Sequence, residues 1–92
     1  MWRVKAGHED EFVRLWRAGV ADLARQLPHA SFRLWRDPRD TLRFQSVGGP
    51  VESEDALDTI RGSESFRAAM DALEETLESV EVGALELVEE IA

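Results

Sequence analysis

The spacing of apolar residues changes period along this 92-residue chain, and the changes limit the folds open to it. Phe12, Leu15, Trp16, Gly19, Val20, Leu23 and Leu27 follow a 3.6-residue period, so they form one stripe of a helix that begins near His8. Glu9, Asp10 and Glu11 fall in its first turn, where the helix dipole favours acids, and Pro28 stops it. From Ser31 to Arg36 the period drops to two: Phe32 and Leu34 share one face, Arg33 and Trp35 the other. Thr41 to Val47 alternates again after the turn Asp37-Pro38-Arg39-Asp40, which predicts a β-hairpin with a four-residue loop. Gly48-Gly49-Pro50 ends it.

Helical spacing then returns. Ser53 is placed to cap a segment with Ala56, Leu57 and Ile60 inward; Gly62-Ser63 interrupts it. Ser63 caps a second segment carrying Phe66, Ala69, Met70, Leu73 and Leu77. A short strand, Trp2 to Lys5, precedes the first helix, and Val80 to Val88 reads as a last strand with a bulge near Gly83. The order is β-α-β-β-α-β, an α+β ferredoxin-like arrangement of a four-stranded antiparallel sheet with helices on one face, in a single domain over residues 1–92. The first strand should be central, yet only Trp2 to Lys5 is available: it is truncated, or the start lies within a longer reading frame.

Two helices cover one face of such a sheet. The other is expected to carry Trp35 or Phe32 with Val and Leu from the last strand, and an apolar face needs cover. A second copy is the simplest cover, which predicts a homodimer packed through the open sheet face. For a mass of 10.4 kDa, area scaling expects about 5,400 Å² of folded surface.

Charge is uneven. Residues 1–49 carry a net charge of +3 and residues 50–92 one of −11, for −8 in all. That balance repels phosphate backbones, so no nucleic-acid partner is expected. No apolar run approaches the roughly 18 residues of a membrane span, and no signal-peptide core is visible, so a cytoplasmic protein without a membrane partner is expected. Cysteine is absent, which removes thiolate chemistry and Cys-based metal sites. Neither phosphate-loop glycines nor His-based metal spacing occurs, and Gly62-Ser63 does not form a nucleophile elbow.

Three stretches resemble antibiotic-biosynthesis-monooxygenase-like (ABM) domains. They are Arg3 to Phe12 with Leu15-Trp16, Phe32 to Pro38 with Arg43-Phe44, and Glu52 to Leu57 with Ser65-Phe66. The resemblance covers nearly the whole chain. It implies a dimeric α/β barrel, in which two four-stranded sheets face each other, and a pocket in each subunit between sheet and helices. Some members of that family oxidise phenols or quinols with O₂ and no bound cofactor; others degrade haem; others have no assigned activity. This chain departs from the oxygenase pattern. It has no Asn and no Tyr, Val51 stands where a Trp is expected, and Glu54 to Glu78 holds no His for a haem iron. Matching catalytic residues one by one yields none.

Two functional expectations follow. One is a cofactor-independent monooxygenase-like protein that takes a small planar aromatic, quinol or polyketide-type ligand. His29, in the turn after the first helix, would be the base that deprotonates a phenol, and no cofactor is needed. Trp16, Trp35, Phe44, Phe66 and Met70 are candidates to line the site, each with core or interface packing as its other role. Arg33 and Arg43, on facing hairpin strands, are candidates to hold an acidic group, or to pair with glutamates of the last strand or a partner chain. His8 reads as a solvated helix-start residue. The other expectation is a non-catalytic ABM-like ligand-binding or dimerisation module that has lost the oxygenase residues.

Overall fold

The computed structural model describes residues 1–91. Strand β1 (Trp2–Val4) leads through a turn into helix α1 (Glu9–Gln26). Strands β2 (Ser31–Asp37) and β3 (Asp40–Gly49) form the hairpin. Helices α2 (Glu54–Arg61) and α3 (Glu64–Glu74) precede strand β4 (Leu77–Val80). The sheet order is β2-β3-β1-β4, antiparallel throughout, so β1 is central as the ferredoxin-like arrangement requires.

Local chemistry explains the element ends. Gly7 takes a φ of 85°, a left-handed conformation that favours glycine, and turns the chain from β1 into α1. Ser53 Oγ accepts the Ala56 amide and Ser63 Oγ accepts the Phe66 amide, so both expected caps form. In the hairpin, Trp35 pairs with Gln45, Arg33 with Val47 and Phe32 with Gly48. The Phe32 ring lies over Gly48, where a Cβ would come within 2.5 Å of it.

The register assigns the faces. Trp2 pairs with both Phe44 and Val80, and these look toward the helices with Val4, Leu34 and Leu77. Phe12 of α1 is fully buried among them, its ring 5.5 Å from that of Trp2 and 4.9 Å from that of Phe44. Leu73 of α3 joins this cluster, and Val13, Leu15, Trp16, Leu34 and Met70 pack around it. Helices α1 and α3 approach closely at Gly19, where an added Cβ would stand 3.1 Å from that of Ala69.

Several expectations are corrected, and the choice between Phe32 and Trp35 is decided. The hairpin loop is shorter than four residues, because Asp37 and Asp40 pair with each other and leave Pro38-Arg39 as the turn. Phe32 belongs to the helix side, so Trp35 is the aromatic residue of the open face, and the last strand brings Ser79 there opposite Arg3 rather than Val or Leu, since Leu77 and Val80 pair with Val4 and Trp2 on the helix side. Leu77 does not end the helix. Thr76, fully buried, donates Oγ1 to the Leu73 carbonyl and accepts the Lys5 amide, which turns the chain and makes Leu77 the first residue of β4. The last strand is not Val80 to Val88. It runs Leu77–Val80, Met1 and Glu81 exchange backbone bonds just beyond it, and residues 82–91 join no ladder. The irregularity of this pair lies opposite Arg3 and Val4 rather than at Gly83.

Replacing Phe12 by Ala should lower unfolding free energy by about 3–5 kcal/mol in a urea titration, because a fully packed ring leaves a void. Gly48→Val should cost about 1–3 kcal/mol by displacing the Phe32 ring.

Candidate functional site

The candidate residues separate onto the two faces of the sheet. Phe44 is buried beneath Phe12, while Trp16 and Met70 are half-buried and pack against the same cluster. Phe66, in the first turn of α3, is also half-buried. Arg33 and Trp35 stand on the opposite face, where Trp35 keeps 57% of its surface exposed. His29 is exposed in the turn between α1 and β2, a turn closed by the Ala30 amide on the Leu27 carbonyl. Trp35, Arg43 and Phe44 border one cleft at the hairpin end, whereas Trp16, Phe66, Met70 and His29 border neither that cleft nor the other well-formed one.

The space between sheet and helices is occupied by side chains. The two best-formed clefts are on the surface, and no helical residue lines either. One, of about 260 Å³, lies at the hairpin end between Trp35, Arg36, Asp37, Arg43, Phe44 and Gln45. The other, of about 220 Å³, lies where Met1 and Val47 meet Val82 and Leu85. His29 borders neither. Among the described residues, no group of three or more His, Asp or Glu side chains is placed to hold a metal ion.

The open face has a chemistry of its own. Alternation along β1, β2 and β3 brings Arg3, Arg33, Trp35, Arg43 and Val47 to it. Arg3 Nη2 donates to Asp40 Oδ2 at 2.8 Å. Arg43 stands 3.7 Å from Asp37 and donates Nε to Met1 Sδ. The hairpin aspartates, not last-strand glutamates, are thus the partners of this face. Among the described residues Arg33 has no ion-pair partner. On the helix side, Arg36 sits over the Phe44 ring, 5.5 Å from its centroid, and closes the sheet edge.

The hydrogen bond from Arg3 holds the Asp40 carboxyl below the usual aspartate range; slight desolvation opposes it, and the Leu42 amide and the Arg43 charge assist. Sequence reasoning missed this pair. Arg3 and Asp40 are 37 residues apart, and only the β1–β3 register joins them.

No family model matches the chain, and no curated protein or solved structure matches it.

In an NMR titration the Asp40 carboxyl should titrate below 3.8, and Arg3→Gln should bring it back toward that value. A lowered folded pKa means that the ionised group favours the folded state above the ordinary aspartate value, and that this support disappears as pH falls through the lowered one.

Proposed function

We propose that the chain is a non-catalytic ABM-like module that pairs with a second copy through its open sheet face. The observation that carries this reading is the uncovered surface. A single chain exposes 7052 Å², about 30% more than the roughly 5,400 Å² expected of a compact protein of this mass. That excess is shared between the open face and residues 82–91, whose Leu85, Leu87, Val88 and Ile91 are also largely exposed. Trp35, Val47 and Met1 are exposed hydrophobic residues on or beside this face. Indole and guanidinium together suit a subunit contact, where Trp and Arg are enriched.

The oxygenase alternative needs a dry cavity of roughly 300 Å³ or more in which a phenol meets a base. Trp2, Phe12 and Phe44 fill the volume between sheet and helices, and both clefts are smaller and open to solvent. Binding of a small planar aromatic ligand is compatible with the groove between Trp35 and Arg43, as a property of the face rather than of an enclosed active site. Among the described residues, no helix is long and apolar enough to cross a membrane.

At micromolar concentration, sedimentation should report twice the 10.4 kDa chain mass, and Trp35→Asp should shift the protein to single chains with its circular dichroism unchanged. A single-chain particle would overturn the pairing. Oxygen uptake with a panel of quinols and anthrones should stay at the buffer rate; turnover would return the molecule to the oxygenases.

A further inference from the structure

Beyond β4 the chain forms an arm in which acids and apolar residues are interleaved. Glu81, Glu86, Glu89 and Glu90 alternate with Val82, Leu85, Leu87, Val88 and Ile91, and no basic residue intervenes. The base of the arm is held: Glu81 exchanges backbone bonds with Met1, and Arg61 donates to the Gly83 carbonyl at 2.6 Å. After Gly83 it is unsupported. Leu85 borders a cleft with Val47 of its own sheet yet is 83% exposed, and Leu87 at 75%, Val88 at 90% and Ile91 at 87% stand in water. Four large apolar side chains in water on one short segment call for a cover.

We propose that residues 84–91 of one copy lie across the open sheet face of a second copy, so that two chains exchange arms. This inference rests on the pairing proposed above and names the element that makes it. Charge selects the surface: the arm is wholly acidic, and the open face offers Arg3, Arg33 and Arg43 around Trp35 and Val47. Unpaired Arg33 gains a carboxylate partner, and the leucines gain an indole and a valine to pack on. Reach is sufficient. Eight extended residues span about 26 Å, whereas four strands spaced about 4.8 Å apart make a sheet roughly 14 Å across. The arm also starts beside the face it would share, since Leu85 and Val47 border one cleft.

The chain contains no cysteine, so engineered thiols report the contact cleanly. Val47→Cys and Leu87→Cys chains, mixed and mildly oxidised, should cross-link to each other. A chain carrying both substitutions, diluted to nanomolar concentration, should remain open. No mixed cross-link, or closure of the doubly substituted chain on itself, would overturn the exchange. A chain stopped at Gly83 separates this inference from the pairing on which it rests. Its self-association should be at least about tenfold weaker than that of the full chain, in line with the loss of a central contact. If the stopped chain associates equally well, the arm is not the contact and the face pairing stands. If the full chain does not associate, both fall.

Discussion

One ring, Phe12, joins the two layers of this protein. It is fully buried, it comes from the first inward position of α1, and it touches the rings of Trp2 on β1 and Phe44 on β3 at once. Tilted ring pairs at these separations add to the area they bury. Because Phe12 meets both central strands, it sets where α1 lies, and the close approach at Gly19 and Ala69 then sets where α3 lies. The same ring occupies the space between the two central strands and α1.

The two sides of the sheet therefore differ in kind. Toward the helices, side chains interlock and the polar atoms are satisfied: Trp2 Nε1 donates to Ser46 Oγ at 2.8 Å, and Thr76 bonds back to Leu73. Away from them, guanidinium groups surround an indole. Two of the three are engaged by hairpin aspartates, which holds charge on the face without fully neutralising it. The face is thus basic and partly apolar in a protein whose second half is strongly acidic.

Periodicity made the hairpin, the helical stripe of α1 and the serine caps legible, because each rests on neighbours within a few residues. Leu77 shows where that signal ends. Four residues after Leu73, it keeps helical phase, yet it is equally placed to open an inward-facing strand; the decision belongs to Thr76, whose bond to Lys5 spans 71 positions. Val82 to Val88 alternates well enough for a strand, but a strand needs a neighbour, and these residues pair with none. Phe32 was ambiguous for a different reason: alternation gives two faces without saying which one the helices take. Of the candidate residues, Phe44, Trp16 and Met70 pack in or against the core, Arg33 and Trp35 stand on the other face, and Phe44 and Trp35 meet at the hairpin-end cleft.

Strand β1 carries a consequence for how the molecule comes apart. Although it has only three residues, it is bonded to β3 on one side and β4 on the other. Peeling it away breaks both ladders, splits the sheet into a free hairpin and a stray strand, and uncovers Phe12 in the same event. Few partly open states remain between the intact molecule and the disordered chain, so loss of structure is cooperative, governed by the shortest strand rather than the longest.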